Sequence, residues 1–101
     1  IQQVLNMRNL DAYEVGGASA DYRVVTRPTQ NDDTQKWVIT ATGNGEYTIQ
    51  QKSTTRYLDG YPDGNDYQVV TRPAQGDDSQ TWMIAATGTG SYTIQHKVNN
   101  R

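Results

Sequence analysis

Val24-Val25-Thr26-Arg27-Pro28-Thr29-Gln30-Asn31-Asp32-Asp33-Thr34-Gln35-Lys36-Trp37 returns 45 residues later as Val69-Val70-Thr71-Arg72-Pro73-Ala74-Gln75-Gly76-Asp77-Asp78-Ser79-Gln80-Thr81-Trp82. Extending the comparison to 24–49 against 69–94 gives 18 identities in 26 positions, ending in Tyr47-Thr48-Ile49 and Tyr92-Thr93-Ile94. Shared composition does not produce a match of that length, so the chain is a tandem repeat and its architecture follows from stacked copies of one unit. Ile1-Gln2-Gln3, Ile49-Gln50-Gln51 and Ile94-Gln95-His96 mark three starts, and Arg8, Arg56 and Arg101 follow each at the same distance. Unit one is therefore 1–48, unit two 49–93, and 94–101 begins a third, all within a single domain spanning 1–101.

Inside a unit the apolar residues alternate with a period of two, as in Tyr47-Thr48-Ile49-Gln50-Gln51-Lys52, and Val, Ile, Thr and Tyr are enriched. That pattern predicts short strands. The expected strands are 1–5, 9–13, 22–27 and 36–41, then 48–52, 57–60, 67–72 and 81–86, with helix almost absent. Asn44-Gly45 and Thr89-Gly90 supply the positive φ that a tight hairpin needs, so the fourth strand of one unit pairs with the first strand of the next. Between the second and third strands, 14–20 in unit one is replaced by the shorter 62–65 in unit two. Such a length difference marks a surface loop.

Composition removes several functional classes. Nine Lys and Arg against eleven Asp and Glu give a net charge of −2 with the basic residues scattered singly, so the basic patch of a nucleic-acid binder is missing. No apolar run approaches the roughly 18 residues of a membrane helix. Cysteine is absent, which excludes disulfides and thiol chemistry and leaves both extracellular and cytoplasmic settings open, the former preferred. A start at Ile1 without a signal segment, and a stop at the eighth residue of a unit, are read as a fragment of a longer chain.

Four-stranded units of about 45 residues that end in Gln35-Lys36-Trp37 and Gln80-Thr81-Trp82 resemble the ricin-B-type β-trefoil lectins. WD40 blades have a similar repeat, but their Gly-His and Trp-Asp signatures are absent. The resemblance covers the whole chain and implies an all-β trefoil in which Gln35, Trp37, Gln80 and Trp82 are structural and the tryptophans pack around the pseudo-threefold axis. It also implies that Leu10-Asp11 and Leu58-Asp59 open sugar pockets. Two units alone would leave Val25, Trp37, Ile39, Val70, Trp82 and Ile84 partly uncovered, at a cost of about 25 cal/mol per Å². A third repeat in another chain, or self-association, is therefore expected to cover them. Two departures stand out: the aromatic platform expected just before the proline is Arg27 or Arg72, and the asparagine expected before Gln-x-Trp is Thr34 or Ser79.

The candidate saccharide-binding residues are Asp11, Tyr13, Tyr22 and Arg27, with Asp59, Tyr61, Tyr67 and Arg72 as their equivalents. A carboxylate accepts hydrogen bonds from sugar hydroxyls, an aromatic face stacks on the apolar side of the ring, and a guanidinium could hold a carboxylate, a sulfate or several hydroxyls. Against this, the aspartates could cap turns, the tyrosines could cover the barrel, and each arginine could brace its loop through Asp32-Asp33 or Asp77-Asp78. Those paired carboxylates lack any calcium-loop spacing and read as turns, so no metal is expected. His96 has no Ser or Cys partner in a recognisable motif, so no catalytic triad, no cofactor and no enzymatic activity are expected. The expected partners are glycans or glycoconjugates, and the domain is expected to serve as the glycan-targeting part of a longer secreted protein or toxin. A trefoil protease inhibitor and a purely structural or interaction domain are the alternatives; an inhibitor needs one distinctive loop, whereas these loops are mostly copies.

Overall fold

The structure is a computed structural model and describes residues 1–13, 22–64 and 66–98. The loop 14–20, Asp21 and Arg101 lie outside the described residues. Among the described residues eight strands form: β1 Asn9–Tyr13, β2 Tyr22–Arg27, β3 Trp37–Gly43, β4 Glu46–Gln51, β5 Tyr57–Asp63, β6 Asp66–Arg72, β7 Trp82–Ala86 and β8 Tyr92–His96. Two 3₁₀ turns, Asp33–Gln35 and Asp78–Gln80, precede β3 and β7. All pairing is antiparallel.

Each unit contributes one outer hairpin, β1–β2 or β5–β6, and one barrel hairpin, β3–β4 or β7–β8, that runs into the next unit. Asn44 at φ 56° and Gly45 at φ 75° turn β3 into β4, as the sequence predicts. The units are joined where Tyr22 and Arg23 pair with Thr71 and Val70, and where Glu46 and Tyr47 pair with Met83 and Trp82. Arginine fastens each unit to itself. Arg8 donates from Nε and Nη2 to the Thr26 carbonyl at 3.2 and 3.0 Å, and Arg56 repeats this on Thr71 at 3.2 and 2.8 Å. At the far end Lys97 bridges Glu46 at 2.6 Å and Asp78 at 3.4 Å. The Glu46 hydrogen bond raises the Lys97 pKa against the opposing effect of desolvation, and Asp78 adds to the rise.

The core is Ile49, Leu58 and Trp82, ringed by Leu10, Val24, Trp37, Val69, Ile84 and Ile94. The expectation of six partly uncovered side chains is corrected for two of them. Val70 and Trp82 are buried, because unit one covers one side of unit two and β8 covers the other, with His96 stacked 4.6 Å from the Trp82 ring. Ile39 stays 46% exposed, and Val25, Trp37 and Ile84 are half-buried. The expected strand 1–5 is not formed either. Gln2 makes one isolated bridge to Asn9, and Met7 closes a turn onto Gln3, just as Thr55 does onto Gln51. β4, its counterpart, forms because β3 lies alongside it; among the described residues no strand lies alongside 1–5. An apolar cleft of about 400 Å³ remains there, lined by Ile1, Val4, Met7, Ile39, Ile84 and Ile94 among others.

His96 occupies the place that Gln51 holds one unit earlier. Gln51 sits opposite Trp37, donates to the Thr34 carbonyl at 2.8 Å and to the Ala12 carbonyl at 3.2 Å; His96 sits opposite Trp82, with Nε2 2.8 Å from the Ser79 carbonyl. Space for the larger ring comes from Gly60, which stands where unit one has Ala12. A Cβ on Gly60 would lie 2.9 Å from His96 Cε1. Gly60→Ala should therefore cost about 1–3 kcal/mol, and adding His96→Gln should recover most of it by recreating the Ala12–Gln51 pairing. Urea unfolding of both single variants and the double variant measures that coupling.

Candidate functional site

Each outer hairpin meets the Gln-x-Trp segment that follows it in the chain. Asp32 and Asp77 begin the 3₁₀ turns as N-caps, accepting from the backbone N–H of Thr34 at 3.2 Å and Ser79 at 3.1 Å. Asn31 at φ 58° and Gly76 at φ 68° make the bend that precedes them. The turn delivers a glutamine into the hairpin. Gln35 Nε2 donates to Asp11 Oδ2 at 3.1 Å and to the Pro28 carbonyl at 3.0 Å, while its Oε1 accepts from the Gln30 N–H at 3.0 Å and from Asn9 Nδ2 at 3.2 Å. Gln80 does the same in unit two, on Asp59 Oδ2 at 3.0 Å, the Pro73 carbonyl at 2.9 Å and the Gln75 N–H at 3.0 Å. Two residues on, the indole follows suit. Trp37 Nε1 donates to the Leu10 carbonyl at 3.0 Å and Trp82 Nε1 to the Leu58 carbonyl at 2.9 Å.

Leu-Asp is thus held at both residues by Gln-x-Trp, and the glutamines, expected to be structural only, also orient the candidate carboxylates. Asp11 and Asp59 are both 0% exposed. One oxygen of each is satisfied by the glutamine, with Thr34 Oγ1 adding a 3.3 Å contact to Asp11. The other, Oδ1, is buried and accepts no hydrogen bond among the described residues in either unit. A buried carboxylate oxygen without a donor is costly, and such groups call for an explanation.

Strand alternation decides which candidates share that face. Asn9 pairs with Arg27, Asp11 with Val25 and Tyr13 with Arg23, so Asp11, Tyr13 and Arg27 lie on one side of the hairpin. Unit two repeats this with Tyr57 opposite Arg72, Asp59 opposite Val70 and Tyr61 opposite Gln68. The arginines reach diagonally. The Arg27 guanidinium lies 4.8 Å from the Tyr13 ring centre and that of Arg72 4.9 Å from Tyr61, so each crosses the rung of its aspartate. Arg72 Nη1 comes 4.0 Å from Asp59 Oδ1, an ion pair too long for a hydrogen bond. The acidic loops are braced by lysines instead, Lys36 and Lys52 on Asp33 and Lys97 on Asp78.

Tyr22 and Tyr67 are not brought to the aspartates. Both fall on the opposite face, one strand position out of phase with Arg23 and Gln68. Tyr22 lies beneath the Arg56 guanidinium of the next unit, 4.4 Å from its ring centre, and Tyr67 packs 6.0 Å from His96. They belong to the joints between units. The period of two carries this information, but only after each strand's inward phase is known. Among the described residues no group of three metal-ligating side chains comes together.

The family of ricin-type β-trefoil lectin domain-like proteins matches residues 1–67 and 33–101, which together span the chain. The chain belongs to that family. Its structure is similar to a designed threefold-symmetric protein, ThreeFoil, with a TM-score of 0.83 at 20% identity, over 93% of this chain and 68% of that one. It is also similar to an exo-β-1,3-galactanase from Clostridium thermocellum, with a TM-score of 0.76 at 20% identity, over 89% of this chain and 20% of the galactanase. The fold is therefore the ricin-type β-trefoil, present as two repeats and the start of a third. No curated protein sequence matches the chain. No helix among the described residues is long and apolar enough to cross a membrane.

Truncating the glutamine tests the clasp. Gln80→Ala strips the hydrogen bond from a fully buried carboxylate and should destabilise the fold by about 2–3 kcal/mol. Asp59→Asn in the Gln80→Ala background should recover part of that loss, read from urea midpoints, because a neutral amide is less costly to bury than an unpartnered charge.

Proposed function

We propose that this is a noncatalytic carbohydrate-binding module with one pocket per complete unit, centred on Asp11 and on Asp59. The observation that carries the reading is the pair of buried Asp Oδ1 atoms, each without a hydrogen-bond donor among the described residues and beside a tyrosine and an arginine on the same hairpin face. A sugar hydroxyl is a donor of the right kind, since a carboxylate accepts charge-assisted hydrogen bonds more strongly than a neutral acceptor does. Tyr13 and Tyr61 present ring faces for the apolar side of a pyranose once the guanidinium moves off. Membership in a lectin-like family, and the occurrence of the same fold within one fifth of a galactanase, support a saccharide as the ligand class. Tyr22 and Tyr67 drop out of the binding set because they lie on the other face.

Two pockets on one rigid body favour polymeric or clustered glycans, where a second contact follows the first at high local concentration. In a longer secreted protein or toxin such a module would hold its partner domain near a polysaccharide. Glycan-array and calorimetric titration give the test. Asp11→Asn or Asp59→Asn should each reduce binding from two sites per chain to one, and the double variant should bind no saccharide while keeping its circular dichroism spectrum. Retained binding in the double variant would sink the assignment.

A further inference from the structure

The pocket arginines narrow the ligand further, in an argument that rests on the saccharide reading above. Each guanidinium arrives from the far rung of its hairpin, passes over the aspartate and comes to rest on a tyrosine ring. In unit two it stands 4.0 Å from the very oxygen that has no hydrogen bond, and the Arg72 side chain is only 23% exposed. The arginine is thus a cover as well as a neighbour. A ligand that reaches Asp59 Oδ1 has to move the guanidinium aside.

Moving it separates a partly desolvated pair of opposite charges. Separation is expensive unless the displaced cation meets a new anion, because a half-buried charge drawn away from a carboxylate keeps the desolvation cost and loses that attraction. A neutral sugar supplies hydroxyl donors to the aspartate and no anion for the arginine. A sugar that carries a carboxylate supplies both, with hydroxyls toward Asp Oδ1 and a planar anion that matches the two parallel N–H groups of the guanidinium fork. In unit one Arg27 likewise rests on Tyr13, on the hairpin face that carries Asp11.

We infer that both pockets select acidic saccharides of the hexuronate class, with Asp11 and Asp59 accepting from ring hydroxyls and Arg27 and Arg72 engaging the uronate carboxylate. Asp and Arg then act as an acceptor and donor pair, read together by a ligand that has the opposite arrangement. Lysine in place of arginine keeps the charge and loses the fork.

The experiment is titration calorimetry with oligogalacturonate and oligoglucuronate against their neutral galactose and glucose counterparts. The proteins are the wild type, Arg27→Gln/Arg72→Gln and Arg27→Lys/Arg72→Lys, with folding checked by circular dichroism. The wild type should bind the uronates at least about tenfold more tightly than the neutral sugars, as a charge-assisted hydrogen bond allows, and raised salt should weaken that binding. The Gln variant should lose the preference and the Lys variant should recover part of it. Neutral sugars bound as tightly as uronates, with the Gln variant unchanged, would overturn the acidic assignment and leave the saccharide reading standing. Failure of the wild type to bind any of the four oligosaccharides would overturn both.

Discussion

A glutamine amide on a buried aspartate is the contact from which the rest of this structure follows. The carboxylate sits with no exposure in the outer hairpin, and a charge there is tolerated only where hydrogen bonds replace the water it has lost. Gln35 and Gln80 supply that replacement, and the tryptophan two residues later fixes the adjoining leucine carbonyl. A single short motif therefore docks the outer hairpin on the barrel hairpin and aims the polar site at the same stroke. Structure and site cannot be varied separately in this fold. The glutamine that holds the hairpin closed bonds one aspartate oxygen, and among the described residues the other accepts no hydrogen bond.

Much of this was legible before any coordinates, because duplication repeats each signal. The 45-residue offset exposed the units, Asn44-Gly45 marked the hairpin between them, and Gln-x-Trp with Leu-Asp pointed to the fold. Six of the eight candidate pocket residues do share a hairpin face. Tyr22 and Tyr67 do not, since neighbouring positions on a strand point to opposite sides. Residues 1–5 have strand-like alternation, yet a strand exists only beside a partner, and partnership is a property of the whole sheet rather than of five residues. The burial of Trp82 beside the half-exposure of Trp37 has the same origin. Identical motifs in neighbouring copies receive different covers because one copy lies between two others.

The two hairpin faces are close copies in their polar groups, and their differences lie behind them. In both, the guanidinium lies on a tyrosine within 5 Å and the carboxylate is oriented by the same amide. Thr34 and Ser79 both turn their hydroxyls toward the N-cap aspartate, Asp32 at 2.5 Å and Asp77 at 2.6 Å. The second contact to the buried carboxylate comes from Thr34, 3.3 Å from Asp11, in unit one and from the Gln75 amide, 3.2 Å from Asp59 Oδ2, in unit two. Exposed edges on β3 and β8 flank the apolar cleft, where Ile39 at 46% and Tyr92 at 65% exposure leave the barrel open on one side. That opening lies among the barrel strands, whereas each carboxylate belongs to an outer hairpin.

Near-identical tandem copies carry a hazard of their own, because a strand from one copy can thread into the seat meant for its sibling while the chain is still forming. The imidazole of His96 works against that error. Its ring fills a seat that only a residue without a side chain permits, 2.9 Å from where a methyl group would begin. The hairpin of unit one carries Ala12 at that point and so makes a poor substitute for its counterpart. A single histidine thereby gives each copy its own address in the barrel.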